Sequence, residues 1–500
     1  MVFGVGVVLA VVLAYDLLQR SHALLRNFPL IGHLRYLLEA VGPELRQYIV
    51  TDNDEERPFS RDQRRWVYSS AKRVDNHFGF GTDNDLERTD NYLIIKQAAF
   101  PLATPAPGDD RVPGPKVLGG ARHRRLAFRP RSAVNVSAMS FGALSGAAIE
   151  ALNRGCALAG ALHNTGEGGL SPHHCHGGEL TYQIGTGYFG CRDRDGNFDL
   201  PRLVDLVAAH PVRAIEIKLS QGAKPGIGGV LPGAKVTPEV AAIRGIEAGR
   251  TCISPAAHRA FQDVDGLLDF VERLAEATGL PVGIKSAVGE ERFWEDLARL
   301  MAAGGRGVDF ITIDGGEGGT GAAPLAFSDH VSLPYKLGMA RALRPFAEAG
   351  IAADITWIGS AKLGFPEQAV GAFALGADLV NVGREAMLAI GCIQAQRCHT
   401  GRCPVGVATQ SRRLTRGLDP GLKSVRVANY LSTLREELLQ LAHACGVPHP
   451  ALIDASQVEV LQDRYRSSTL AEVFGYQPGW GLPRPADVAL LAELLGPLAV

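Results

Sequence analysis

Several features are scarce in this 500-residue chain, and each scarcity excludes a class of protein. The 51 Lys and Arg residues almost balance the 52 Asp and Glu residues, leaving a net charge of −1, which excludes bulk nucleic-acid binding. Eight cysteines are too few for a disulfide framework in a chain of this length. The 59 glycines have no Gly-X-Y period, which excludes collagen. With 46% hydrophobic and 21% charged residues, the chain can form a sizeable core.

The first fifteen residues, MVFGVGVVLAVVLAY, contain no charge. The run is short of the roughly 20 residues that span a bilayer, but two leucines extend it past Asp16. No basic segment precedes it and no small-residue cleavage site follows it, which argues against a secretory signal. Arg20, Arg26 and Arg35 follow the run, and the positive-inside rule then places the remainder in the cytoplasm. We expect a single-pass anchor in the cell membrane over residues 1–18; the alternative is a buried N-terminal helix.

From about residue 130, short β-rich runs alternate with helical patterns. The runs are AVNVSAM, AIEIKLS, PVGIKSAV, VDFITIDGG, ITWIGSA and ADLVNVG. Alternating strands and helices predict a parallel sheet, and six such units favour a closed (β/α)8 TIM barrel of the α/β class over an open sheet. We therefore divide the chain into a membrane anchor (1–18), a helical connector and extended linker (19–129), the barrel with its cysteine-rich segment (130–445) and a C-terminal extension (446–500).

Three segments carry the glycines and lysines of a candidate site. In 359–384 two strands in succession end in glycine, a pattern typical of a phosphate site in the late loops of a barrel. In 313–324, IDGGEGGTGAAP, glycines follow a strand directly and allow the backbone to approach a ligand. The segment 219–236 holds Lys224 and Lys235 among small residues, where they are available to an anion or are solvated surface lysines.

Three of the cysteines, Cys392, Cys398 and Cys403, lie within twelve residues and Pro404 follows them. Thiolates are soft ligands that suit zinc or iron–sulfur clusters. A structural zinc needs a fourth ligand, for which His399 is the nearby candidate. The spacing fits better with an iron–sulfur cluster that lacks one iron corner, and three unrelated buried cysteines remain the alternative.

Motifs from these segments occur in one order. They are SAMSFGALS, NTGEGG, QGAKPG, LPGAKV, GGTGA and CHTGRCPVGVATQ. Together they resemble the FMN-binding synthase domain of glutamate synthase, over roughly residues 130–445, and the whole chain is similar to the stand-alone bacterial branch of that family.

The resemblance implies a barrel that carries FMN and a 3Fe-4S cluster and reductively aminates 2-oxoglutarate to L-glutamate. Carried over by motif, the cluster ligands are Cys392, Cys398 and Cys403. The flavin ring contacts are Ala138, Met139, Ser140, Gln221 and Lys285, with Lys235 as a second anion or flavin contact. The ribityl and phosphate contacts are Asp314, Gly315, Gly316, Gly359, Gly383 and Arg384. Lys224 and Arg244 hold the substrate carboxylates, and Glu167 steers ammonia or protons.

The chain also departs from full-length glutamate synthase. It has no N-terminal amidotransferase cysteine, no long C-terminal domain and no GxGxxG motif between a strand and a helix. We therefore expect ammonia and electrons to come from partners, such as an amidotransferase subunit and a ferredoxin or reductase subunit. The loop with His173, His174, Cys175 and His176 is a weaker candidate for a metal site. Two other functions stay open: a membrane-anchored electron-transfer or interaction subunit that has lost the aminating site, and a reaction with an amine that gives an N-substituted glutamate.

Overall fold

The structure is a computed structural model that describes residues 2–19, 22–51, 55–82, 84–86, 89 and 91–496. It divides into two compact units, Met1–Arg65 and Trp66–Val500. The helices are α1 Val2–Leu18, α2 Ala23–Asn27, α3 Gly32–Leu45, α4 Arg61–Lys72, α5 Gly146–Ala159, α6 Leu200–Ala209, α7 Pro238–Arg244, α8 Val264–Thr278, α9 Arg292–Ala302, α10 Leu325–His330, α11 Tyr335–Glu348, α12 Pro366–Ala374, α13 Arg384–Ala389, α14 Arg412–Thr415, α15 Pro420–Ala444, α16 Leu470–Phe474 and α17 Pro485–Leu495.

The strands form one closed barrel and two small sheets. They are β1 Leu93–Ile95, β2 Val134–Val136, β3 His163–Asn164, β4 Leu180–Ile184, β5 Val212–Lys218, β6 Val230–Leu231, β7 Cys252–Ile253, β8 Val282–Ser286, β9 Phe310–Asp314, β10 Thr356–Ser360, β11 Leu379–Val382, β12 Val458–Asp463 and β13 Arg466–Thr469. Eight parallel strands close in the order β10-β11-β2-β3-β4-β5-β8-β9. The predicted TIM barrel is confirmed.

All six predicted runs are barrel strands, and β3 and β4 complete the eight. The sequence does not predict β3, because this strand is only two residues long. It does not predict β4, LTYQI, because this strand alternates polar and apolar residues although all five are buried. A barrel interior accepts such polar side chains when they hydrogen-bond to one another.

Long-range packing closes the outside of the barrel. Helix α15 lies along α5, and Gly155 permits the close approach, since a Cβ there would stand 2.5 Å from the Val427 Cβ. An antiparallel sheet β1-β12-β13 pairs Leu93–Ile95 with Val458–Val460, so a segment of the predicted linker and one of the predicted C-terminal extension share a sheet.

The predicted membrane anchor is wrong. Within the described part of the chain, every helix is too short or too polar to cross a bilayer. Helix α1 has 17 residues, about 25 Å at 1.5 Å per residue, against a hydrocarbon core of about 30 Å. Asp16 in its last turn is buried, accepts a hydrogen bond from the Leu30 N–H at 2.9 Å and pairs with His33. The predicted transmembrane helix and the cell-membrane localisation are therefore corrected. Met1 and Arg20, which entered that prediction, lie outside the described residues.

Candidate active site

Two neighbouring strands carry a lysine at the mouth of the barrel, as the last residue of β5 and the last but one of β8. β5 and β8 pair in register so that Lys218 stands beside Lys285. Alternate residues of a strand share a face, so Lys218 lies above Glu216, and Asp314 lies above Thr312 on β9. Parallel strands present their carboxyl ends at one rim, which is where barrel enzymes carry their chemistry.

A buried carboxylate lies beneath this rim. Glu216 accepts hydrogen bonds from the Asn164 amide, the Gln183 amide and the Thr312 hydroxyl, each at 2.7 Å. These bonds satisfy a carboxylate that is almost fully enclosed. The barrel therefore has a rigid polar floor of negative charge directly below the lysines.

Above this floor is a cavity of about 250 Å³. It receives twelve of the residues that the sequence predicts for the site. They are Ala138, Met139, Ser140, Glu167, Gln221, Lys224, Arg244, Lys285, Asp314, Gly383, Arg384 and Cys398. These residues come from loops that lie far apart in the chain, and the barrel brings them to one rim.

Lys285 forms a buried ion pair with Asp314, with 3.3 Å between Nζ and Oδ1. The other oxygen of Asp314 accepts the Gly222 backbone N–H at 2.7 Å. Burial lowers the pKa of Lys285, but the carboxylates of Asp314 and Glu216 outweigh it, so the pKa is raised overall. The lysine is therefore a fixed cation at the rim.

Glu167 forms a second ion pair across the cavity, with Lys218 Nζ at 2.7 Å from Oε1. The same ammonium contacts the Gln221 Oε1 at 3.1 Å, and the Gln221 amide donates to the Gly319 carbonyl at 2.8 Å. Burial raises the pKa of Glu167, but Lys218, Lys224 and Arg244 lower it by more. Glu167 is thus an ionised carboxylate. Gln221 connects its partner Lys218 to the glycine loop after β9.

Lys224 and Arg244 place two further buried cations at this cavity. Lys224 is only 5% exposed, and no hydrogen bond or ion pair from the described residues engages its ammonium. Burial lowers its pKa, as does the neighbouring Lys218. Arg244 donates to the Phe141 carbonyl at 3.2 Å, and its guanidinium lies 5.1 Å from the centre of the Phe189 ring. A buried ammonium without a partner indicates a site for an anion.

Several predicted contacts lie elsewhere. Gly315 and Gly316 use their N–H groups for the carbonyls of Ser360 and Leu333 and, with Gly359, do not line the cavity. Lys235 does not line the cavity itself, but its ammonium donates to the carbonyls of Ala143 and Cys398, two lining residues, at 2.8 and 2.9 Å.

Of the three predicted cluster ligands, one lines the cavity and two do not. Cys398 lines the cavity, Cys403 is buried and Cys392 is half-buried. Burial raises the pKa of the Cys398 thiol, and Cys403 adds to the effect. Within the described residues, no three His, Cys, Asp or Glu side chains are arranged to hold a metal ion.

The histidine-rich loop 173–176, which the structure describes in full, holds no such group of metal ligands either. There His173 pairs with Glu239 at 3.0 Å, and His174 bonds to Ser171.

Sequence reasoning missed Lys218, the partner of Glu167. A signal was available, because Lys218 closes the β-rich run AIEIK in the same way that Lys285 closes PVGIK. The cavity wall also includes residues that the sequence analysis did not assign individually: Gln183, Ser254 and, within segment 359–384, Ser360, Lys362 and Asn381.

Comparison with known proteins identifies the family. Residues 122–448 match the family model described as the conserved region in glutamate synthase. The chain is 38% identical over 467 residues to the glutamate synthase large subunit-like protein YerD of Bacillus subtilis, covering 86% of this chain and 88% of that one. It is 35% identical over 349 residues to an archaeal glutamate synthase (NADPH) of Methanocaldococcus jannaschii, covering 68% of this chain and 64% of that relative.

Among solved structures, a flavocytochrome b2 mutant with benzoylformate is similar at 14% identity and a TM-score of 0.47, covering 88% of this chain and 86% of that one. The family match spans the barrel strands, the rim lysines and the cysteine segment alike. The chain therefore belongs to the glutamate synthase family.

Proposed function

We propose that the protein is an FMN-dependent oxidoreductase that reductively aminates 2-oxoglutarate to L-glutamate. The observation that carries the proposal is the buried, unpartnered ammonium of Lys224 beside Arg244, at the same cavity as the Lys285–Asp314 pair. Two cations that lack a full set of partners suit the two carboxylates of a dicarboxylic acid. Ammonia comes from outside the chain.

The residues present fit a flavin. One wall consists of small groups, Ala138, Ser140 and the 318–321 loop, which leave room for a flat ring. In the proposal Ala138, Met139, Ser140 and Gln221 contact the ring, Lys285 lies near its pyrimidine edge, and Asp314, Gly383 and Arg384 hold the ribityl and phosphate groups. FMN, when bound, supplies the hydride for the reduction.

The chain's own residues bind, orient and protonate. Lys224 and Arg244 hold the dicarboxylate so that its 2-oxo carbon faces the cavity floor. Ammonia adds to that carbon with loss of water, giving the imine that is reduced. Glu167 accepts a hydrogen bond from the incoming nitrogen. Its ionised form takes up a proton that the nitrogen releases on addition and passes it to the departing hydroxyl, which leaves as water; the nitrogen of the imine takes one proton from solvent as the hydride adds.

The iron–sulfur cluster stays a prediction from the family resemblance. Among the described residues the cysteine side chains do not form a ligand set, and the proposed reaction does not depend on a cluster. Electrons then reach the cavity from a separate donor, a ferredoxin or a reductase subunit, and ammonia is free or comes from an amidotransferase subunit.

The test uses the purified full chain. FMN is measured after denaturation, the loaded protein is reduced anaerobically with dithionite, and 2-oxoglutarate and nitrogen-15 ammonium are added. Labelled glutamate is the expected product. Lys224→Met should raise the KM for 2-oxoglutarate about tenfold or more, because a charge-assisted hydrogen bond is worth about 1.5–3 kcal/mol.

Lys96→Met is the matched control, since Lys96 pairs with Glu459 outside the barrel. Bound FMN without labelled glutamate would refute the proposed reaction. If methylamine gives an N-substituted glutamate and ammonium gives no glutamate, the amine and not ammonia is the substrate.

A further inference from the structure

The carboxylate of Glu167 lies in a slot between two glycines. A Cβ on Gly185, directly after β4, would stand 2.6 Å from Oε2, and a Cβ on Gly229 would stand 2.7 Å from Oε1. No side chain other than hydrogen fits at either wall while the carboxylate stays there. The backbone therefore fixes the position of the carboxylate from two sides.

Lys218 closes the third side of this slot. Its ammonium is 2.7 Å from Oε1, whereas no hydrogen bond from the described residues occupies Oε2. One oxygen of Glu167 is thus held and the other is available to a ligand in the cavity.

Lys218 is itself held at its backbone. The Nε2–H of His258 donates to the Lys218 carbonyl at 2.9 Å, and its Nδ1 accepts the Tyr188 hydroxyl at 3.2 Å. The Tyr188 oxygen accepts the backbone N–H groups of Arg259 and Ala260 at 3.0 and 3.1 Å. His258 and Tyr188 are buried, so the end of β5 cannot shift without breaking buried hydrogen bonds.

We propose that Lys218 is a positioning residue that keeps Glu167 ionised and directs its free oxygen toward the nitrogen of the substrate. The inference rests on the proposed function, because it assigns the acceptor of the ammonia N–H groups. His258 and Tyr188 support Lys218 and do not reach the substrate.

The charged and titratable groups that face Glu167 come from several elements. Lys218 ends β5, Lys224 follows it, Arg244 ends α7, Lys285 is on β8, and His258 lies on the loop after β7. Only Lys218 makes an ion pair with Glu167 within 4 Å among the described residues. An opposite charge this close lowers a carboxyl pKa by about 1–3 units, so its removal must show in a titration.

The test compares Lys218→Met with Lys218→Arg, and Lys96→Met is the control. In the loaded enzyme, the acid limb of the kcat/KM profile for ammonium should move upward by about one pH unit or more in Lys218→Met. Lys218→Arg should restore it. The affinity for glutarate at neutral pH should change less than the KM for ammonium.

A second measurement needs no turnover. Infrared difference spectra between each protein and its Glu167→Gln partner isolate the Glu167 carboxyl band, and its protonation midpoint should lie higher in Lys218→Met. Gly229→Ala should raise the midpoint as well, because the new methyl group displaces Oε1 from Lys218. An unchanged midpoint in Lys218→Met overturns the inference whether or not the enzyme makes glutamate, whereas absence of glutamate with a shifted midpoint overturns only the proposed reaction.

Discussion

Replacement of Lys285 by methionine tests the electrostatics of the barrel rim. Lys285 and Asp314 are both buried and lie 3.3 Å apart. At an effective dielectric constant of about 20, that distance corresponds to about 5 kcal/mol of attraction before desolvation is subtracted. Lys285→Met leaves Asp314 and, below it, Glu216 without their counter-charge. Breaking a buried pair in this way costs about 3–5 kcal/mol.

The assay is urea unfolding of the wild-type protein, Lys285→Met, Asp314→Asn and the double variant. We expect Lys285→Met to lower the free energy of unfolding by about 3 kcal/mol or more. The double variant should regain a large part of that loss, because it removes both charges of the pair. Because the pKa of Lys285 is raised above the ordinary lysine value of 10.5, its contribution to stability is fully present below pH 10.5 and is lost as the pH rises through the folded-state pKa. A loss below about 1 kcal/mol in Lys285→Met, the range of an exposed pair, would refute the reasoning.

Three further predictions concern other parts of the chain. Arg124→Met removes the buried partner of Glu272 and Asp309, at 2.6 and 3.0 Å, and should lower the free energy of unfolding by about 3 kcal/mol or more. Arg306→Met, at an exposed pair, is the control and should lower it by less than about 1 kcal/mol in the same denaturation assay. Burial lowers the pKa of His449 from 6.5 to about 4, so this residue alone should lower the free energy of unfolding by about 3 kcal/mol as the pH falls from 6.5 to 4. Burial lowers the pKa of His163 as well, to about 3, so His449→Gln should reduce the slope without abolishing it; an equal slope in the variant would contradict the prediction. Iron and acid-labile sulfide should be present in anaerobically purified protein and absent from a variant with serine at 392, 398 and 403; zinc without sulfide would exclude the cluster.

Local pattern was sufficient for much of the fold. Six barrel strands follow from β-rich runs that end in glycine or a small polar residue, because buried parallel strands need continuous apolar sequence and a tight turn at their ends. Strand β3 could not be predicted, because two residues carry no period.

The expected membrane span shows where a local pattern fails. A hydropathy run records that residues 2–15 are apolar, but it does not state how far the helix continues or what its polar residues contact. In the structure the helix ends at Leu18, and Asp16 is bound to Leu30 and His33, which lie 14 and 17 residues further on.

By itself, the sequence determined the fold class and family of this protein and the chemical types at its site. Glu167, Lys224, Arg244, Lys285 and Asp314 are recognisable from motifs, since each motif is a contiguous stretch of chain. Only the tertiary structure decided how these groups pair, because Lys218 and Glu167 lie 51 residues apart and meet through the closure of the barrel. The same closure directs the N–H groups of Gly315 and Gly316 to other carbonyls and leaves Lys224 buried without a partner. Pairing, burial and orientation are properties of distances between strands, and no local stretch of sequence contains those distances.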